Sequence, residues 1–283
     1  MREDRHSRTA MRVALRRAAH QLLDNPRILD DPLAVPIVGE AIAEIQADAA
    51  RHQSAIAQRF RAFMVARSRY AEDQLAESVS RGVQQYVILG AGLDTSAYRS
   101  VSAAENLAVF EVDHPQTQAW KKERLQAAKI SAPSSVCFVP VDFERQNLAT
   151  ELQAAGLRTD QPAFVSWLGV VPYLTKEAAA HTFSFLGRFP EGSGVAFDYA
   201  VSPASLGLLE RMALAALSRR VARIGEPFRL FFAPDGLESF LRGFGFRRVE
   251  QLASKEINAR YFDRRSDGLA VTGSAGRIVS AWT

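Results

Sequence analysis

A single cysteine, Cys137, in 283 residues excludes an intrachain disulfide framework, and its position in an apolar run suits a small buried hydrophobe. A cytoplasmic setting is the matching expectation. No apolar run approaches the ~18 residues that cross a bilayer. The first seventeen residues are charged, with no apolar signal-peptide core behind them. Charge of one sign is scarcely in excess. Thirty-five basic and 31 acidic side chains leave a formal net charge of +4, spread along the chain with some density at residues 2–17 and 211–229. Neither zinc-finger spacing nor an RNP-like aromatic signature accompanies these arginines, so no nucleic acid, no membrane and no metal is expected as a partner. The small basic surplus suits an acidic small molecule. Histidines number five, which leaves few side chains able to act as bases at neutral pH.

The residues present are those of an ordinary globular chain, 47% hydrophobic and 23% charged. Residues 9–23 carry Val13, Ala14, Ala18 and Leu22 near helical spacing, and Asp24-Asn25-Pro26 ends that helix. Asp30-Asp31-Pro32 reads as a capping and proline start for a second helix over 33–45. A longer pattern runs from 49 to 79 and stops at Arg81-Gly82. The period then changes. Short apolar runs at 86–89, 107–112, 136–139, 163–167 and 195–199 alternate with helical stretches, which predicts an α/β fold with a mostly parallel sheet covered on both faces. Residues 203–224 predict an amphipathic helix with Arg211, Arg219, Arg220 and Arg223 interleaved. Residues 247–252 and 277–282 predict an antiparallel closing pair. The expected organisation is an N-terminal helical cap over 1–82 and a core over 83–283, with a lid helix at about 202–224, in one compact unit.

Three strand ends carry candidate chemistry. Gly90-Ala91-Gly92 follows the first strand, where glycine lets the backbone turn and approach a ligand, although a purely structural turn explains it equally well. Thr95 stands where a dinucleotide fingerprint has its third glycine, which points away from NAD or FAD and leaves a nucleoside without a pyrophosphate open. Asp113 ends the next strand and is placed to accept ribose hydroxyls, or else caps the helix after His114-Pro115. Glu111, two residues earlier, is a secondary candidate. Asp142 and Phe143 end the third strand, suited to an adenine amine and ring nitrogen, or to a loop carboxylate beside an anchoring aromatic.

In combination these segments resemble the leucine carboxyl methyltransferase family, in particular its bacterial branch of S-adenosylmethionine-dependent enzymes that includes polyketide carboxyl methyltransferases. The likeness rests on Thr9-Ala10, Asp30-Asp31-Pro32-Leu33-Ala34, Ala66-Arg67-Ser68-Arg69-Tyr70, and the run from Val87 to Thr95 with Tyr98-Arg99. It continues through Glu111-Val112-Asp113-His114-Pro115, Pro140-Val141-Asp142-Phe143, Ser166-Trp167-Leu168-Gly169-Val170 with Tyr173-Leu174, and Gly225-Glu226-Pro227-Phe228. The resemblance implies a class I methyltransferase, Rossmann-like sheet, with S-adenosyl-L-methionine as cofactor and S-adenosyl-L-homocysteine as product. It assigns Arg67 to the cofactor's methionine carboxylate, Gly90 and Gly92 to the turn beside the methionine part, Asp113 to ribose, and Asp142 with Phe143 to adenine. Leu168 departs from the pattern, because many members carry a glutamate there.

An O-methyltransferase acting on the carboxylate of a small molecule, in secondary metabolism, is the expected activity. A carboxylate is ionised at neutral pH and needs no base. A phenolic acceptor, a protein C-terminal carboxylate and a non-catalytic cofactor-binding role are the alternatives. Of the histidines only His114 sits beside the inferred site, and no catalytic residue is assigned. Tyr70, Tyr98, Tyr173 and Tyr199 are candidate pocket hydroxyls for the acceptor, although each taken singly reads more readily as a core aromatic. The pocket is expected beneath the N-terminal helices and the 203–224 helix. A homodimer is left open.

Overall fold

The structure, a computed structural model, describes residues 8–99, 107–143, 145–223, 225 and 227–283. Ile224 and Glu226, together with the N-terminal Arg2, therefore lie outside the described residues.

The chain opens with α1 (Arg8–Leu23), α2 (Ala34–Val38), α3 (Ile42–Ala47), α4 (Ala49–His52) and α5 (Ala55–Ser80). The helix expected over 33–45 is divided because Gly39, at φ +52°, turns out of the helical region and a 3₁₀ turn follows. The helix expected over 49–79 is likewise divided, with Ser54 capping α5 by accepting from the Ala57 amide at 3.4 Å. Asp24 does more than stop α1. It is buried and takes Arg61 of α5 on both carboxylate oxygens, at 2.6 and 2.7 Å, which ties α1 to α5.

The sheet follows as β1 (Gln85–Leu89), β2 (Ala108–Asp113), α6 (Pro115–Ala127), β3 (Val136–Pro140), α7 (Leu148–Ala154), β4 (Phe164–Trp167), α8 (Lys176–Leu186) and β5 (Gly194–Val201). After these come α9 (Leu208–Ala222), β6 (Phe231–Phe232), α10 (Pro234–Arg242), β7 (Arg248–Leu252), α11 (Ser254–Tyr261) and β8 (Gly276–Trp282). The strand order is β3-β2-β1-β4-β5-β8-β7, with the short β6 pairing β5 beside this path. β1 to β6 are mutually parallel where they pair. β8 inserts antiparallel between β5 and β7, which is the closing pair the sequence predicts.

β1, β4 and β5 are buried along their full length, so both faces of the central sheet are covered. One face carries a core that includes Trp167, Phe183, Phe197 and Phe246. The other takes Ala62, Val65, Ala66 and Tyr70 of α5 with Phe164, Ala196 and Ile278. The N-terminal helices thus share a core with the sheet, because α5 presents its small residues to it at three- and four-residue spacing. From β1 the chain steps outward to β2 and β3, then crosses back to β4 on the opposite side of β1. That reversal opens a crevice at the carboxyl ends of β1 and β4.

Candidate active site

The crevice holds a cavity of about 1210 Å³. Arg67, Gly90, Gly92, Asp113, Asp142 and Phe143, drawn from four separate segments, all lie on its wall. Strand ends supply five of them, and α5 supplies Arg67.

The turn after β1 is built for close approach. The Gly90 and Ala91 amides donate to the Val112 carbonyl at 2.8 and 3.0 Å, which bends the chain back over β2. Gly90 sits at φ +71°, and a side-chain carbon there would meet Val170 Cγ2 at 2.3 Å. Asp113 holds the other half of the turn. Its Oδ2 accepts from the Gly92 amide at 2.6 Å and its Oδ1 from the His114 amide at 2.7 Å. Each oxygen keeps a lone pair for a further donor. Burial pushes the Asp113 carboxyl above its ordinary range, against the pull of those two amides. The side chain that caps α6 belongs to His114, whose Nδ1 accepts from the Gln116 amide at 3.3 Å.

Asp31 anchors this turn from behind, a role its place in a capping sequence does not suggest. Fully buried, it accepts from Thr95 Oγ1 at 2.7 Å and lies 3.4 Å from Nε of both Arg17 and Arg99. Arg17 Nη2 donates to the Leu93 carbonyl at 2.6 Å. The first turn of α2 has no side-chain cap, since Leu33 stands there. The Asp30-Asp31-Pro32 segment therefore serves the glycine turn more than the helix it precedes.

Arg67 reaches the cavity with one side of its guanidinium committed. Nη1 donates to Asp198 Oδ2 at 2.8 Å, and Asp198 Oδ1 accepts from the Gly169 amide at 2.6 Å. Nε of Arg67 is buried without a hydrogen-bond partner among the described residues, so donor capacity remains on a side chain that lines the cavity. Gly169, at φ +71°, leaves room for this side chain, because a side-chain carbon there would lie 2.7 Å from Arg67 Nη2. Asp198 is the functional residue that sequence reasoning missed. Its signal is a lone charge inside the otherwise apolar 195–199 run, which places a carboxylate where solvent cannot stabilise it. Leu168 lines the cavity too, so the departure from the family pattern puts a hydrocarbon against the site. These features fit a nucleoside-bearing cofactor: a turn only glycine admits, a carboxylate with lone pairs to spare, and a buried arginine nitrogen without an acceptor.

Of the four tyrosines only Tyr173 lies on the cavity wall. The Tyr70 hydroxyl donates to Glu250 and accepts from Ser280, each at 2.8 Å, within the core beneath β8. Tyr98 donates to Glu111 at 2.9 Å, and Tyr199 to Gln251 at 2.8 Å. These three hydroxyls are spent on structural partners, as buried phenols require. Glu111 also faces away from the cavity. It is fully buried and ion-paired with Lys121 of α6 at 2.7 Å.

The roof differs from expectation as well. α1 contributes Thr9, Ala10, Val13, Ala14 and Arg17, and the segment after α9 contributes Gly225, Pro227 and Arg229. No described residue of α9 itself lines the cavity. The helix buries Leu214 and leaves Leu208, Leu209 and Met212 strongly exposed, so Leu209 does not lie on the inward face that the spacing predicts.

The sequence profile of leucine carboxyl methyltransferases matches residues 10–187. The "Putative S-adenosyl-L-methionine-dependent methyltransferase YktD" of Bacillus subtilis is 33% identical over 292 residues, covering 95% of this chain and 96% of that protein. A "Putative S-adenosyl-L-methionine-dependent methyltransferase" of Saccharopolyspora erythraea is 32% identical, covering 96% and 94%. Among solved structures, a DUF574 family protein from Streptomyces avermitilis superposes with a TM-score of 0.56 at 15% identity, over 96% of this chain and 97% of that one. A "putative methyltransferase" from Thermobifida fusca gives 0.56 at 14% identity, over 96% and 94%. At such identities the structural likeness speaks to the fold.

Proposed function

The chain belongs to the leucine carboxyl methyltransferase family, and we propose that it methylates a carboxylate oxygen of a small acidic molecule to give a methyl ester. Membership makes it an S-adenosylmethionine-dependent methyltransferase; the acceptor is the part inferred here. When bound, S-adenosylmethionine supplies a methyl group activated by a positively charged sulfur.

The protein's own contribution is binding and placement. Gly90 and Gly92 admit the ligand against bare backbone, Asp113 accepts from the ribose hydroxyls, and Asp142 with Phe143 holds the adenine end. Arg67, steadied by Asp198, offers its remaining donors to the methionine carboxylate. The cavity walls hold the reactants in place, so the rate derives from alignment.

One observation carries the choice of a carboxylate. His114 is the single histidine among the described wall residues, and its Nδ1 is engaged at the start of α6. A carboxylate, with a reference pKa of ~4, is ionised already, whereas a phenol near ~10 gains from a base.

The test is a screen of acidic metabolites with isotopically labelled methyl donor, followed by mild base. Label released by base identifies an ester and supports the reading. Label that survives identifies an ether and replaces it with a phenolic acceptor. Tight S-adenosylhomocysteine binding without transfer to any acid would make this a non-catalytic member. A peptide ending in a free carboxylate, against its amidated control, separates a protein acceptor from a small one.

A further inference from the structure

Among the described residues three acidic side chains line the cavity: Asp94, Asp113 and Asp142. Ribose and adenine take the last two in the reading above, which leaves Asp94 without a part. It lies two residues past Gly92 in the turn after β1, and its amide donates to the Ala91 carbonyl at 2.7 Å. Oδ1 of Asp94 accepts from the Ser96 amide at 2.7 Å. Oδ2 has Arg17 Nη1 as its donor at 3.4 Å, longer than a well-formed hydrogen bond. The side chain is 22% exposed, so the carboxylate keeps lone pairs within reach of a further donor.

The two acids at this turn differ in charge. Burial pushes the Asp113 carboxyl above its ordinary range. It acts in the same direction on Asp94, but the charges of Arg17 and Lys121 and the hydrogen bonds from Ser96 outweigh it and hold that carboxyl below its ordinary range. Neutral ribose hydroxyls need only a lone pair, whereas a cation gains from a full negative charge. Printed contacts tie Asp94 and Arg67 to opposite ends of the same turn. At the Gly90 end, a side-chain carbon would meet Val170, and one on the neighbouring Gly169 would lie 2.7 Å from Arg67 Nη2. At the Gly92 end, a side-chain carbon would meet Ala10 Cβ of α1 at 3.0 Å, and Arg17 of α1 donates to the Leu93 carbonyl at 2.6 Å. The turn is thus flanked by a cation with a donor to spare and an anion with lone pairs to spare. Leu168 adds no side-chain acceptor to the wall.

We propose that Asp94 receives the α-ammonium of the cofactor's amino-acid end while Arg67 receives its carboxylate. That end of the molecule is a zwitterion, and a pair of opposite charges fixes its direction as well as its position. Fixing the amino-acid end also sets where the sulfur farther along the same chain lies. The assignment rests on reading this cavity as the cofactor's site.

The probes are S-adenosylhomocysteine and its deamino analogue, which keeps the carboxylate and carries hydrogen in place of the ammonium. Each is titrated calorimetrically into the full chain. Wild type is expected to bind S-adenosylhomocysteine about tenfold or more tighter than the analogue, as a charged hydrogen bond warrants. Asp94→Asn keeps an oxygen for the Ser96 amide. It is expected to lose about tenfold or more in S-adenosylhomocysteine affinity and to bind the analogue within about twofold of wild type. An equal loss for both ligands would mean that Asp94 acts on the fold or through Arg17, and would overturn the assignment. Equal affinity of wild type for the two ligands would overturn it as well, and that result needs no variant to fold. Binding of neither ligand by wild type would overturn the cofactor reading itself, an outcome distinguishable from both.

Discussion

Arg67 and Asp198 stand 131 residues apart in the chain and 2.8 Å apart in the fold, both buried, with the second carboxylate oxygen of Asp198 fixed by the Gly169 amide. The pair aims Arg67 into the cavity and holds beside it the loop that carries Leu168 and Val170, both of which line the cavity. A guanidinium held in this way is already oriented before any ligand arrives, which lowers the ordering cost of binding.

Removing Asp198 should therefore be expensive in two ways. Asp198→Ala strands a buried guanidinium and is expected to destabilise the fold by roughly 3–5 kcal/mol. Asp198→Asn keeps an acceptor for Gly169 and should lose less. Urea denaturation of both variants measures the difference, and equal stability of Asp198→Ala and wild type would show that the pair is dispensable.

Asp113 is expected to act on the ligand more than on the fold. Asp113→Ala should weaken S-adenosylhomocysteine binding by roughly 1–3 kcal/mol, the cost of leaving hydrogen-bonding groups unmatched. Calorimetry on the folded variant checks this. Unchanged affinity would remove the ribose role and leave Asp113 only as the clamp on Gly92.

At Gly90 two effects can be separated. Gly90→Ala places a methyl group against Val170 and also forces alanine into a left-handed conformation, the latter costing roughly 1–2 kcal/mol. Cofactor affinity is expected to fall more than tenfold. Val170→Ala in the same chain relieves the clash but not the backbone strain, so the double variant should recover part of the loss. Full recovery would mean that the positive φ at Gly90 carries no cost.

Glu72 offers a pH dependence with a definite sign. Burial pushes its carboxyl from 4.5 up to about 7, against the pull of Arg99. The folded protein then holds this proton over a range where the unfolded chain has released it. Stability from this group is accordingly greatest below about 4.5 and declines as pH rises through about 7. The loss is on the order of 3 kcal/mol across that window. Glu72→Gln should flatten the decline in denaturation curves recorded from pH 4.5 to 7.5. Parallel slopes in the two proteins would place the titration elsewhere.

Much of the architecture was legible from local pattern. Buried strands such as 86–89 and 195–199 read as apolar runs because both faces of the sheet are covered, and the closing pair appeared at its observed place. The interruption of the second helix was harder to read, since it depends on the conformation of one glycine, Gly39. Spacing does not fix the buried face of α9, because several registers of leucine and alanine satisfy helical spacing and only the neighbours decide which side is buried.

The order of elements and the residues at three strand ends were matters of sequence alone, because a turn that needs glycine and a strand that ends in an acid are local requirements. Which tyrosines meet the cavity, that Asp31 braces the glycine turn and that Asp198 orients Arg67 were decided only by the tertiary structure. Each of these joins side chains from distant segments, and their pairing is set by how helices and strands pack, which no short-range pattern records.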